Sequence, residues 1–206
     1  MTTEIAETVL DEHAADLLFR EGRTANTFTD EPITDEQLRA VWDLAKMGPT
    51  AFNSQPLRVT WVRDGAARER LLTHMAKGNQ AKTVAAPVVA VLSFDAHWHR
   101  RFDDFMPGMP ERTAPMAENF AANEALSHQI ANNNANMQAG YFILAVRAMG
   151  LDAGPMSGFD AAGLDADFFP DGSQKSFTVV NIGHAGESAW GPAKPRYSFE
   201  DATSTL

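Results

Sequence analysis

Apolar residues recur at helical spacing over a long stretch, residues 118–149, and no other feature of the chain limits its architecture as strongly. Leu126, Ile130, Met137, Tyr141, Leu144 and Ala148 follow one another at steps of three, four or seven, the repeat of one helix face. Gly150 is placed to end the run, because glycine adopts the left-handed conformation at a helix C-terminus without steric cost. Such a helix is long for a single domain, and 206 residues fit one domain (1–206) or one domain carrying a terminal arm. Its middle is unusual, since Asn132, Asn133, Asn134 and Asn136 are poor helix formers. Two readings stay open. The amides line a solvated face, or some of them face a polar cavity or a partner subunit, where a buried asparagine finds the hydrogen-bond partners it needs.

Helices and strands are mixed elsewhere without a regular βα rhythm, which predicts an α+β fold rather than a doubly wound sheet. Ile5, Val9, Leu10, Ala14, Leu17 and Leu18 predict a first helix within the first 20 residues. Thr34 and Gln37 form a capping-box signature ahead of the apolar stripe Leu38, Val41, Trp42 and Ala45, with Gly48-Pro49 predicted to end that helix. Strands are predicted at 58–62, at 87–94 and at 177–182, the second a continuous apolar run suited to the centre of a sheet. A short helix is expected over 68–75, and a loop or lid over the Pro-, Met- and Gly-rich residues 103–117. Beyond Trp190-Gly191-Pro192 the chain becomes a tail that needs a tether to be ordered.

Composition excludes several function classes. With no cysteine there is no disulfide framework, thiol nucleophile or thiolate metal site, and the chain suits a reducing cytoplasm. No apolar run is long enough to span a bilayer, and the start Met1-Thr2-Thr3-Glu4 does not resemble a signal peptide. A formal net charge of −10 and the lack of a basic cluster argue against nucleic acid. An anionic ligand must then be held by a few placed cations or backbone amides. There is no P-loop, no GxGxxG after a strand and no GxSxG elbow. His97 and His99 are expected at the surface, no metal site is expected, and Asp103-Asp104 reads as a solvated acidic step.

Five short polar segments remain. Gly22 to Phe28 joins the guanidinium of Arg23 to the hydroxyl and amide of Thr24 and Asn26. Arginine suits bidentate phosphate contact, although pairing with a surface carboxylate would equally employ it. Pro49-Thr50-Ala51-Phe52-Asn53-Ser54-Gln55-Pro56 is a stiff loop of neutral donors and acceptors, able to read the edge of a planar heteroaromatic ring or simply to connect a helix to a strand. In Gly78-Asn79-Gln80-Ala81-Lys82, Asn79 and Lys82 would share one helix face. Gly154-Pro155-Met156-Ser157-Gly158-Phe159 allows close approach of backbone to a ligand. Lys194-Pro195-Arg196 places two cations on the tail, a solvated pair if the tail is free.

In this order the five segments resemble the FMN-dependent nitroreductase family over nearly the whole chain, and PTAFNSQP, GNQAKT, GLDAGPMSGFD and the GRTAN start resemble its malonic semialdehyde reductase subgroup. The resemblance implies a sandwich with a central, mainly antiparallel sheet flanked by helices. It also implies an intertwined homodimer with FMN at the subunit interface and an arm, residues 188–206, wrapping the partner. By position it puts Arg23, Thr24 and Asn26 at the FMN phosphate and ribityl chain, with Lys194 and Arg196 at the phosphate. Pro49, Thr50, Ala51, Asn53 and Gln55 would come from the other subunit. Asn79 and Lys82 would lie along the pyrimidine edge, and Pro155, Met156, Ser157 and Gly158 beside N5 and O4. Asn26 and Ser157 depart from the basic and acidic residues many relatives carry there. FMN would carry the redox step, so no catalytic side chain is required. NADH or NADPH would deliver a hydride by a ping-pong scheme, and malonic semialdehyde would be reduced to 3-hydroxypropanoate. Arg58 and Arg112 are candidates for the substrate carboxylate. A broad nitro- or quinone reductase and a non-catalytic flavin-binding protein are the alternatives.

Overall fold

The computed structural model describes residues 9–206. The N-terminal helix is shorter than expected: α1 (Glu12–Ala15), begun by the Asp11 side chain accepting from the Ala14 amide at 2.7 Å, runs on as a π-helical turn, Asp16–Arg20. Val9 and Leu10 precede it, and Ile5 lies outside the described residues. The capping box of α2 (Asp35–Ala45) is reciprocal. The Gln37 amide donates to Thr34 Oγ1 at 3.2 Å, and the Thr34 amide donates to Gln37 Oε1 at 2.9 Å. Gly48 does not take the predicted left-handed cap. The helix closes earlier, through tight turns from Met47 to Leu44 and from Gly48 to Ala45. Gly48 is small for another reason, because a Cβ there would lie 3.0 Å from the Tyr141 ring.

A 3-10 turn (Ala51–Asn53) leads to β1 (Leu57–Val62), α3 (Ala66–His74), α4 (Lys77–Ala85) and β2 (Val88–Asp95). A second 3-10 turn (Trp98–Arg101) then passes into α5 (Phe102–Phe105) and α6 (Pro110–Ala122). The expected loop over 103–117 is therefore mostly helical. Pro110 sits in the first turn, where its missing N–H costs nothing, and the Glu, Arg, Ala and Met that follow favour helix. The predicted long helix is divided at Asn123, whose Oδ1 accepts from the Leu126 amide at 3.2 Å and so starts α7 (Glu124–Ala148). Gly150, at φ +70°, ends α7 as predicted. β3 (Asp152–Met156), α8 (Ala161–Phe168), β4 (Gln174–Gly183) and α9 (Phe199–Ala202) complete the chain.

The fold is α+β, as expected. Among the described residues four strands form one sheet in the order β1-β2-β4-β3, every neighbouring pair antiparallel. β2 is interior and buried from Val88 to Phe94. Its continuous apolar run follows from having helices on both faces. Val88, Ala90 and Leu92 pack with α2, α6 and α7, while Val89 and Val91 pack with α3 and α8. His97–His99 departs from the surface placement expected of it. Trp98 and His99 are buried, Trp98 Nε1 donates to Ser127 O at 3.1 Å, and His99 Nδ1 lies 3.2 Å from Ser127 Oγ. Burial pushes the His99 imidazole below its usual value.

One buried cation ties α4 into place. Arg68 of α3, only 4% exposed, donates to the carbonyls of Thr83 (2.6 Å), Ala86 (2.8 Å) and Val62 (3.0 Å). Burial lowers its pKa, partly offset by Asp64. Replacing Arg68 by Met would strand three carbonyls. Because hydrogen bonds to a charged donor are worth roughly 1.5–3 kcal/mol each, a loss on the order of 3 kcal/mol or more is expected. A urea midpoint unchanged by the substitution would contradict this.

Candidate functional site

The cavity of interest has a volume of about 670 Å³ and opens between the segment after the π-helical turn, the end of α7, β3 and the C-terminal tail. That is an ordinary size for a small-molecule site. Its walls carry five cations, Arg20, Arg23, Arg147, Lys194 and Arg196, in a chain of net charge −10. Cations gathered against the sign of the whole molecule create a local field suited to an anion.

Not all five are equally available. Arg20 is paired with Glu12 and Asp16. Arg196 donates to the carbonyls of Lys194 and Pro195, which folds the tail locally. Arg147 donates to Leu17 O; burial lowers its pKa, with Asp152 and Glu21 opposing. Among the described residues Arg23 has no carboxylate partner, so the alternative of a surface ion pair is not what the structure contains.

Backbone pairing positions the walls. The Ala25 amide donates to Ala153 O at 3.1 Å, and the Asn26 amide to Ala189 O at 2.9 Å. The Asn26 side chain donates to Thr24 O and Ala189 O at 3.2 and 3.3 Å. It knits the segment to the start of the tail more than it faces a ligand. Two glycines permit the close approach. A Cβ on Gly154 would stand 2.6 Å from Ala25 O, and one on Gly22 would overlap the Arg147 guanidinium. Since Ala25 O is backbone and cannot swing away, Gly154→Ala is expected to cost about 1–3 kcal/mol. It should also loosen residues 22–26, seen as faster amide exchange there.

β3 carries the site onward. Ala153 and Pro155 line the cavity, and Met156, Ser157 and Gly158 continue from it to α4. There Asn79 Nδ2 donates to Gly158 O at 3.0 Å, as does the Ala76 amide at 3.0 Å. A Cβ on Gly158 would lie 2.7 Å from Asn79 Nδ2. Lys82 follows one helical turn after Asn79 in α4. The structure thus brings together Arg23, Thr24, Asn26, Pro155, Lys194 and Arg196, and joins Asn79 to Gly158 at the far end of the same strand.

The loop from Pro49 to Pro56 is elsewhere in the same subunit. It borders a smaller cleft of about 210 Å³ with Trp42, Arg58 and Trp98. Phe52, Asn53 and Gln55 all have positive φ (61°, 57° and 44°), a conformation that costs non-glycine residues of order 1–3 kcal/mol each and persists only where surroundings impose it. Here the surroundings are two amides of α7. Asn134 Oδ1 accepts from the Ala51 amide at 2.6 Å while its Nδ2 donates to Ile130 O, and Gln138 Oε1 accepts from the Leu57 amide at 3.0 Å. Thr50 Oγ1 also accepts from the Gln55 amide at 3.1 Å. Of the Asn run, Asn134 is the buried one, and Asn136 is exposed and bonded to Asn132. The exposed members fit the solvated-face reading, whereas Asn134 finds its partners in the loop ahead of β1 and in Ile130 of its own chain. Arg58 is committed to Asp95 at 2.7 Å and to the carbonyls of Gln55 and Leu57. Arg112, on α6, is exposed and away from the cavity.

Sequence reasoning passed over Arg20, Arg147 and Gln138. Arg147 is a basic residue in the last turn of a helix, where the helix dipole alone explains a cation. Gln138 lies one turn after Asn134, and only the run of asparagines beside it drew notice. Among the described residues no group of three or more His, Asp or Glu could hold a metal ion, and no helix is long and apolar enough to cross a membrane.

Comparison with known proteins gives a consistent picture. A protein of Streptomyces griseus named "Putative NADH dehydrogenase/NAD(P)H nitroreductase" is 50% identical over 198 residues, 96% of this chain and 98% of its own. A Bacillus subtilis crystal structure described as a "putative nitroreductase" superposes with a TM-score of 0.81 at 25% identity, over 92% of this chain and 97% of that one. A protein of Exiguobacterium sibiricum, solved in complex with FMN, has the same fold at a TM-score of 0.81 and 19% identity, over 97% and 99% of the two chains. The model of the nitroreductase family matches residues 20–190. On this evidence the chain belongs to the nitroreductase family.

Proposed function

We propose that the protein is an NAD(P)H-dependent FMN oxidoreductase acting as a homodimer. The observation that carries this is the cationic cavity joined through β3 to the Gly158–Asn79 contact. Charge at one end and a glycine-thinned backbone at the other suit a ligand with a phosphate and a flat polar ring. FMN, when bound, supplies the hydride chemistry. Arg23, Lys194 and Arg196 would hold its phosphate, with the Thr24 hydroxyl and the backbone at Asn26 beside them. Pro155, Met156, Ser157 and Gly158 would bring backbone against the ring. Asn79 and Lys82 would lie along its pyrimidine edge, where the Lys82 ammonium favours negative charge. Pro49, Thr50, Ala51, Asn53 and Gln55 would reach the partner's flavin, held in shape by Asn134 and Gln138.

The dimer reading is supported by large apolar side chains left exposed: Leu44 in the last turn of α2, Met47 after it, Phe52 in the loop, and Met137 and Tyr141 on α7. Exposed apolar side chains of this size are what a subunit presents where a partner covers it.

For the acceptor we propose malonic semialdehyde, reduced to 3-hydroxypropanoate, with Arg58 and Arg112 the candidate cations for its carboxylate, the Arg58 donors being already engaged within the chain. A broad nitro- or quinone reductase is the second reading, favoured by the name of the Streptomyces griseus relative. The test is an absorbance spectrum after FMN addition and desalting, then anaerobic NADH or NADPH, then acceptor. A retained band that falls with nicotinamide and recovers with the aldehyde supports the first reading. Recovery only with nitroaromatics or quinones moves the assignment to the second. A retained band that neither nicotinamide changes indicates a flavin-binding protein without turnover, and no retained flavin overturns the proposal. Separately, Lys82→Ala is expected to weaken FMN binding and lower the potential of the bound flavin. A potential identical to that of the parent protein would remove Lys82 from the ring.

A further inference from the structure

The cleft of about 210 Å³ beside the loop ahead of β1 shares no lining residue with the cationic cavity. It lies between Ser54 and Gln55 of that loop, Trp42 of α2, Arg58 of β1, and the turn that carries Trp98 into α5. We infer that this cleft is a separate binding site for a small aromatic monocarboxylate, a single ring bearing one carboxylate, whose binding steadies the loop. The inference goes beyond the flavin reading and does not depend on it.

Size and walls select the ring. The volume falls below the roughly 300–1,000 Å³ of sites for drug-sized ligands, so the occupant is small. Trp42, Trp98 and Phe105 line the cleft, and aromatic side chains pack well on another ring, offset or edge-on. Trp98 is a fixed wall. It is 1% exposed, its Nε1 donates to Ser127 O at 3.1 Å, and Phe105 stacks on it at 6.4 Å with 25° between the planes. A wall already ordered costs little entropy when a ligand arrives.

Uncommitted donors select the carboxylate. Arg58 is engaged by the Gln55 and Leu57 carbonyls and by Asp95, so it serves as a fixed part of the wall. Arg101 also lines the cleft, with Asp104 beside it. Its Nε donates to Asp104 at 2.6 Å, and its two terminal nitrogens have no partner among the described residues. A guanidinium with both terminal nitrogens open suits bidentate contact with a carboxylate. Ser54 adds an independent observation. It is 5% exposed, and its hydroxyl is buried without a partner among the described residues. Buried hydroxyls are ordinarily hydrogen-bonded, and an oxygen of a ligand seated against Ser54 would complete this one.

The same contacts reach the strained loop. Gln55 has φ +44°, and Phe52, at φ +61°, stacks on Trp98 at 6.4 Å with 10° between the planes. Asn134 and Gln138 of α7 hold the loop at Ala51 and Leu57. A ligand touching Trp98, Ser54 and Gln55 adds a further tie between those two anchors, in a backbone that keeps its conformation only where its surroundings impose it.

The test is a calorimetric titration of the full-length protein, before and after FMN loading, with benzoate, its neutral isostere benzamide, and acetate. Benzoate is expected to bind, to within about threefold alike in the two preparations, and about tenfold or more tighter than either benzamide or acetate. Arg101→Gln, a substitution at an exposed position, should weaken benzoate about tenfold and leave benzamide within about threefold. Asp104→Asn should tighten benzoate, because it removes a competing carboxylate from Arg101. Benzoate should also slow hydrogen exchange at the amides of residues 54–57. Absence of saturable benzoate binding overturns the inference. Equal affinity for benzoate and benzamide overturns the ligand class. Benzoate binding that requires loaded FMN, or that Arg101→Gln leaves unchanged, places the ring outside this cleft and overturns the site. Failure of the protein to load FMN removes the flavin reading alone, since the unloaded protein still tests the cleft.

Discussion

Protein lacking residues 194–206 is expected to emerge colourless from FMN loading and to elute as a monomer. Two terms add in the first effect. Lys194 and Arg196 supply two of the five cations around the large cavity, and a charge-assisted hydrogen bond is worth roughly 1.5–3 kcal/mol. Losing both should therefore reduce FMN affinity by about two to four orders of magnitude. The second effect comes from what the tail does not touch in its own chain. Tyr197 is 87% exposed and Phe199 71% exposed. Even so, α9 is a formed turn, with Ser198 Oγ accepting from the Asp201 amide at 3.1 Å. A single helical turn has little stability of its own, so one with a cap and an unburied apolar side is best explained by a surface it docks on. Sedimentation velocity and the flavin absorbance after desalting check the two effects. The double variant Lys194→Ala/Arg196→Ala separates them, since it should lose FMN yet remain dimeric. A truncated protein that stays yellow and dimeric would remove the tail from both site and interface.

How much of this was legible beforehand depended on the range of the forces involved. Elements set by local rules could be read: the reciprocal capping box at Thr34 and Gln37, the left-handed Gly150 after α7, and the buried β2 run. The errors came where one residue type serves opposite ends. Proline and methionine over residues 103–117 suggested a loop, but Pro110 at a helix start costs nothing and Asn123 inside an apolar repeat is a boundary, not a defect. Gly48 looked like a C-cap because glycine after a helix often is one, whereas its smallness answers to Tyr141, 93 positions later in sequence terms and invisible to local reasoning. The same holds for the site. Polar segments could be singled out one by one, and the family resemblance ordered them. That Arg23 and Lys194 share a wall, or that Arg147 occupies the space vacated at Gly22, follows only from tertiary packing.

Asn134→Ala combined with Gln138→Ala should be the most damaging pair of substitutions on α7, and its damage should centre on the loop ahead of β1. Gln138 is wholly buried and holds the Leu57 amide. Asn134, nearly as buried, holds the Ala51 amide at the other end of the turn. Between these anchors lie three residues at positive φ, a strain of several kcal/mol if each costs about 1–3. Each lost amide leaves a backbone donor without its partner, at roughly 1–3 kcal/mol. Because both anchors restrain one loop, the second loss should cost less than the first as the strain relaxes. Global stability is therefore expected to fall by about 2–4 kcal/mol, less than the sum of the single variants. FMN affinity should fall more steeply than stability, since a relaxed loop no longer presents Thr50 and Asn53 in one fixed geometry. Hydrogen exchange locates the effect: amides of 50–57 should lose protection while those of β2 keep theirs. Equal loss of protection across the sheet, with FMN affinity tracking stability alone, would mean that Asn134 and Gln138 support the core and do not position the loop.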